Sequence, residues 1–141
     1  MKPILLLLVL FIPGFLLNAQ KTTSLKQVIS LQMPGEDGKN GASVAWDSKA
    51  KRYYAAFAGN TGFPLGVFSE KGKLLSPETL TTQLDIRGLW YNSQVNGVEM
   101  NCYNDGGWFR YINDKSGFPA SIDIITSGMH QPEGQSAGCF D

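Results

Sequence analysis

Apolar and polar positions alternate along most of this chain in runs too short for helices. At residues 28–33, Ile29, Leu31 and Met33 fall on one side and Ser30 and Gln32 on the other, the period of two that marks a half-buried strand. Residues 34–41 hold Pro34, Gly35, Gly38 and Gly41 and read as a loop. Short strands are predicted next at 43–46, 52–58, 65–69 and 74–75. In the second of these, Tyr54 and Ala56 share one face while Tyr53, Ala55 and Phe57 share the other. A polar linker, 76–84, is broken by Pro77. Strands resume at 87–92, 98–103, 108–112 and 122–125. Apolar spacing of three and four is sustained nowhere in residues 20–141, so no helix is predicted there.

The two sets of strands carry a common pattern. Trp46 to Trp90 is 44 positions (90 − 46), Phe68 to Ile112 is 44 (112 − 68) and Gly72 to Gly117 is 45 (117 − 72). Self-similarity at about 40 to 50 residues with four short strands per unit is the dimension of a β-propeller blade. The expected fold is all-β, with about two four-stranded antiparallel propeller-like blades forming an incomplete β-propeller. The predicted divisions are a signal peptide (1–19), an N-terminal strand and loop (20–40), a first repeat (41–84), a second (85–127) and the start of a third (128–141). That third start rests on Ala137-Gly138-Cys139-Phe140-Asp141, which echoes Ser43-Val44-Ala45-Trp46-Asp47. Trp46 and Trp90 are expected in the core. With blades missing on either side, Tyr54, Phe57, Met100 and Tyr103 are expected on open outer faces, which would favour self-association.

Lys2, the apolar run 4–17 interrupted by Pro13 and Gly14, and Ala19 before Gln20 have the layout of a secretory signal peptide. The run is too short for a spanning helix, which needs about 20 apolar residues, so no stable membrane insertion is expected after its removal. The expected location is secreted or periplasmic. Cleavage after Ala19 would leave 122 residues (141 − 19) and remove only Lys2 among the charges, giving 11 basic against 12 acidic residues. A near-neutral chain without a basic block has little to hold a phosphate backbone, which argues against nucleic acid. Cys102 and Cys139 fall in different repeats and are expected as free thiols, with no disulfide.

Two stretches are candidate ligand sites. Asp85 and Arg87, two apart on an extended segment, can present a carboxylate and a guanidinium on one side, or form a structural ion pair. Asn104 and Asp105 lead into Gly106, Gly107 and Trp108, where backbone and an indole face can meet a sugar or peptide, or the Trp can fold back on its own sheet. His130 is the only histidine and lacks partners at ligand spacing, so no zinc site is expected. Asp37, Asp47, Asp105 and Asp114 are scattered through turns without the density of a calcium loop. No nucleophile elbow occurs, and neither catalytic residues nor a cofactor are predicted.

The strand Ser43-Val44-Ala45-Trp46-Asp47, the aromatic strand after it and the hairpin Leu65 to Phe68 ending at Gly72 resemble blades of secreted bacterial β-propellers of the NHL and YVTN type. The resemblance covers residues 41–125 and implies a ring of four to eight blades. Two blades fall short of that ring, so the expectation is a piece of a longer protein. The function expected is an exported, non-enzymatic binding module for a protein or glycan. The alternatives are a piece of a propeller lyase, hydrolase or quinone-dependent dehydrogenase whose catalytic blades lie elsewhere, or a truncated product without function.

Overall fold

A computed structural model describes residues 24–35, 42–103 and 106–127. Its strands are β1 (Ala42–Asp47), β2 (Arg52–Phe57), β3 (Leu65–Ser69), β4 (Ile86–Asn92), β5 (Gly97–Cys102), β6 (Trp108–Asn113) and β7 (Pro119–Thr126), and no helix occurs among the described residues. Each strand pairs antiparallel with the next, giving a three-stranded sheet β1-β2-β3 and a four-stranded sheet β4-β5-β6-β7. The protein is all-β, and its two sheets are not closed into a barrel, an arrangement consistent with an incomplete propeller-like fold.

Register explains how the sheets stack. Ala45, Tyr54 and Val67 are cross-strand partners, and so are Leu89, Met100 and Phe109. These two rows belong to one apolar cluster, together with Ala56, Leu65, Ile86, Val98, Cys102 and Tyr111. Burying residues of this size drives the sheets together at about 1.5 to 3 kcal/mol for each large aliphatic or aromatic side chain. The closest approach is β1 on β4. Ser43 Oγ donates to the Arg87 carbonyl at 3.2 Å, and the charge of Asp47 acts on Tyr91. Ser43 opposite Arg87 and Asp47 opposite Tyr91 place small Ala45 against Leu89.

Polar groups reach across the interface at both ends. Arg52 donates to the carbonyls of Ser116 (3.0 Å) and Gly117 (2.9 Å), and its guanidinium lies over Phe118. Tyr54 donates to the Gly117 carbonyl at 3.3 Å and accepts from Asn113 at 3.2 Å. Tyr111, from the second sheet, donates to the Thr82 carbonyl at 2.8 Å.

The hairpin tips match in pairs. Asp47 Oδ1 accepts the amides of Lys49 (2.9 Å) and Ala50 (2.8 Å). Asn92 Oδ1, 45 positions on (92 − 47), accepts those of Gln94 (3.0 Å) and Val95 (3.4 Å). Both turns close through a left-handed residue, Lys51 at φ 53° and Asn96 at φ 52°. Ser69 Oγ likewise accepts from Lys71 and Lys73, as Asp114 Oδ1, 45 positions on (114 − 69), does from Ser116 and Phe118. Gly72 and Gly117 supply the left-handed corners there, at φ 80° and 79°.

Several expectations are corrected. The predicted strand at 29–33 is not paired into either sheet. Its alternation is real in exposure, since Ile29, Leu31 and Met33 are half-buried and Ser30 and Gln32 exposed. The edge of β3 is already occupied by the segment that follows it. Leu75 donates to the Val67 carbonyl at 2.7 Å, and Ser76 Oγ both accepts from Val67 N–H and donates to the Leu65 carbonyl. The same side-chain substitution reduces the predicted strand 74–75 to an isolated bridge between Phe68 and Leu74, which is why the first sheet has three strands. Tyr54 and Met100 are fully buried between the sheets, not on open faces. Trp46 and Trp90 lie on opposite faces, because the spacing at these hairpins is 45 and Trp90 shares the register place of Ala45. Trp46 is 38% exposed and stacks on Tyr53 at 4.4 Å, whereas Trp90 is 8% exposed. Cys102 is free and buried, and the expectations for Cys139, His130, Asp37, the signal segment and the third repeat lie outside the described residues.

Trp90→Ala is therefore expected to cost about 3 to 5 kcal/mol. Trp46→Ala, at a position 38% exposed, should cost less, about 1 to 2 kcal/mol for the Tyr53 contact and the part of the ring that is covered. Denaturant midpoints of the two variants separate the cases, and equal losses would contradict the face assignment.

Burial raises Tyr54 and Tyr111 above the ordinary 10.0, and burial followed by the charge of Asp85 pushes Cys102 up to about 12. The folded state holds these protons longer than the unfolded chain does. Their contribution is complete below the unfolded values and disappears as pH rises toward the folded ones. Unfolding monitored from about pH 8 to about pH 11 should show stability falling from about pH 9 upward. Tyr111→Phe should lower stability by about 1 to 3 kcal/mol at neutral pH by stranding the Thr82 carbonyl, and should flatten that alkaline slope.

Candidate functional site

Tight turns occupy one rim of the stacked sheets, at Asp47, Ser69, Asn92 and Asp114. The opposite rim carries the less regular connections: residues 58–64 between β2 and β3, the approach to β4 through Asp85, and, between β5 and β6, Tyr103, Gly106 and Gly107. Of the candidate residues from the sequence, Asp85, Arg87 and Trp108 map to this second rim, at one end of the four-stranded sheet.

Asp85 and Arg87 do meet. Arg87 NH2 lies 3.2 Å from Asp85 Oδ2, with the two side chains 13% and 22% exposed. The arrangement is not simple strand alternation, since Ile86 pairs with Cys102 and Gly88 with Asn101, leaving Arg87 as the extra residue of a bulge. The bulge turns the guanidinium onto Tyr103, 4.2 Å from its ring centroid. The other Asp85 oxygen accepts the Gly59 amide at 2.7 Å, and the Asp85 carbonyl accepts the Tyr103 amide at 2.9 Å. Asp85 thus ties the β2–β3 connection of one sheet to β4 and β5 of the other. Its carboxylate is engaged internally, as the structural ion-pair alternative requires. Arg87 Nε is buried without a hydrogen-bond partner among the described residues.

Asn104 and Asp105 lie outside the described residues. On either side of them Gly106 N–H donates to the Tyr103 carbonyl and Cys102 N–H to the Gly107 carbonyl, both at 3.2 Å. Gly107 adopts φ 107°, and a Cβ there would strike the Thr126 carbonyl oxygen. Tyr103 (50% exposed) and Trp108 (39% exposed) flank this turn, two accessible aromatic surfaces at its two ends. They suit stacking against a sugar ring or an apolar peptide side chain.

A second polar group escaped sequence reasoning. Trp90, Glu99 and Arg110 are successive cross-strand partners on the face of the second sheet turned away from the first. Glu99 is 6% exposed and accepts from Trp90 Nε1 at 3.2 Å, Asn92 Nδ2 at 3.0 Å, and Arg110 Nε and NH2 at 3.1 and 2.7 Å. Trp108 sets its ring against Trp90, centroids 5.8 Å apart at 74°. The Arg110 stem lies over Gly97, where a Cβ would meet its Cδ at 2.9 Å. The available signal was a charge at alternate positions, Glu99 between Val98 and Met100 and Arg110 between Phe109 and Tyr111, on strands with apolar neighbours. Among the described residues no three His, Cys, Asp or Glu side chains gather as a metal site.

Arg110→Leu keeps the stem but leaves Glu99 buried without its counter-charge, and should cost about 3 kcal/mol or more. Replacing both residues in Glu99→Gln/Arg110→Leu should recover part of that loss, and a chemical-denaturation cycle measures the coupling.

No family model, curated protein or solved structure matches this chain.

Proposed function

We propose that this chain is an exported, non-enzymatic binding module built from repeats of the β-propeller blade, similar to secreted NHL-type proteins, and that it recognises a protein or glycan through its irregular rim. The observation that carries the reading is the pair of exposed aromatics, Tyr103 and Trp108, bracketing a glycine turn at that rim. The bulge at Arg87 fixes Tyr103 from below, and the Trp90 edge supports Trp108, so both rings are held in place before a partner arrives. Pre-positioned aromatic surface lowers the entropy lost on binding. The repeat reading is supported by the paired tips, where Asp47 and Asn92, Ser69 and Asp114, and Gly72 and Gly117 do the same work 45 positions apart (92 − 47, 114 − 69, 117 − 72). Stacking of the two sheets through β1 and β4 supports the blade reading. Residues 1–19 supply the export signal in this account, and the apolar surface left at Val44 and Trp46 favours self-association.

The test uses protein recovered from the cell exterior or periplasm. Its N-terminus is expected at or near Gln20, and it should bind members of an oligosaccharide and cell-surface protein panel. Tyr103→Ala/Trp108→Ala should reduce that binding at least tenfold when measured well below the variant's thermal midpoint, which loss of the Arg87 and Trp90 contacts should lower without unfolding the protein. Cytoplasmic protein retaining Met1 would overturn export, and binding indifferent to the double substitution would overturn the site.

A further inference from the structure

The face of the second sheet that carries Trp90, Glu99 and Asn101 is turned away from the first sheet, and none of the described strands lies over it. Its residues are nevertheless almost inaccessible, with Trp90 at 8%, Glu99 at 6% and Asn101 at 2% exposure. Trp108 and Arg110 shield part of the row from the side, but both are themselves partly exposed and lie on β6, away from β4.

The existing sheet interface shows what such a face accepts. There β4 lies along β1, Ser43 beside Arg87 and Asp47 beside Tyr91, with small Ala45 opposite large Leu89. At the matching place on the second sheet, Trp90 stands where Ala45 stands and Asn92 where Asp47 stands. A strand packing there in the same way must present a very small residue opposite Trp90 and can present an aromatic one opposite Asn92. Ala137-Gly138-Cys139-Phe140-Asp141 has that order: read against Ser43-Val44-Ala45-Trp46-Asp47, its Gly138 takes the place of Leu89 and its Phe140 the place of Tyr91. Small opposite large becomes large opposite small, which preserves the volume of the layer.

We propose that residues 137–141 of this chain dock on the face formed by Trp90, Asn92 and Glu99, with Gly138 against the Trp90 indole and Phe140 against Asn92. The inference concerns how the second sheet is covered and does not depend on what the irregular rim binds.

The test is a double-substitution cycle in the full chain. Trp90→Ala alone leaves a cavity and Gly138→Leu alone overfills the layer, so each should lower the thermal midpoint. Trp90→Ala/Gly138→Leu rebuilds the Ala45–Leu89 arrangement and should recover the packing part of the loss, though not the Trp90–Glu99 hydrogen bond. The control, Trp46→Ala/Gly138→Leu, should show no recovery. If Trp90→Ala does not fold, the smaller steps Trp90→Phe and Gly138→Ala make the same cycle. Additive losses in the first pair overturn the proposal. Recovery that depends on protein concentration also overturns it, since the segment would then come from a second copy.

Discussion

Everything else in this structure depends on one contact layer, the packing of the Ala45–Tyr54–Val67 row against the Leu89–Met100–Phe109 row. A three-stranded sheet and a four-stranded sheet of this length each bury too little alone, and become stable by covering one another. The layer closes because side-chain sizes are complementary: Ala45 on β1 makes room for Leu89, while Tyr54 reaches past the smaller neighbours to the Gly117 carbonyl. Its hydroxyl accepts from Asn113 and donates to Gly117, so a large polar-tipped ring is buried without an unmet hydrogen bond. Tyr111 does the same from the other sheet through the Thr82 carbonyl. Apolar area supplies the driving force, and these directional bonds set the lateral position of one sheet on the other, which area alone leaves free.

The Glu99 cluster works under a different constraint. A carboxylate on a strand with little access to water is costly unless several donors meet it, and here four donor atoms from Trp90, Asn92 and Arg110 do so. An apolar residue would fill the same place with less risk, so the network is better understood as fixing geometry. It holds the Trp90 indole in one orientation, sets Arg110 across Gly97, and through Trp90 supports Trp108.

Period-two alternation made nearly every strand legible in the sequence, because side chains on a sheet must point alternately to two faces whatever the tertiary context. It failed at 29–33 and 74–75 for a reason alternation does not encode: whether a free edge exists. Ser76 filled the edge of β3 with its own hydroxyl, and no hydrophobic pattern announces that. The spacing from Trp46 to Trp90 misled by a single residue, and in a strand one residue is a whole face. The tips were the better ruler, since each side-chain acceptor sits two to four residues before the amides it binds and recurs at the same place in both repeats. At the candidate site, the proximity of Asp85 and Arg87 was legible, but the bulge was not. Gly88 looks ordinary in sequence, and only the ladder to Cys102 and Asn101 reveals the extra residue.

The two rims follow from how backbone groups are satisfied. Where Asp47, Asn92, Ser69 and Asp114 cap the turns, a single side-chain oxygen meets two amides, leaving a short connection with few groups to offer a partner. At the other rim the connections are held by contacts between separate elements, such as Gly59 to Asp85 and Tyr103 to Asp85, and the approach to β4 also carries the chain from one sheet to the other. Those contacts anchor the backbone and leave side-chain surface free above it. Tyr103 is the outcome: its amide and its ring's lower face are both engaged, while half of the residue faces solvent. An anchored aromatic with a free face loses little entropy when something stacks on it, which is the physical reason the proposed recognition is assigned to this rim and not to the rim of capped turns.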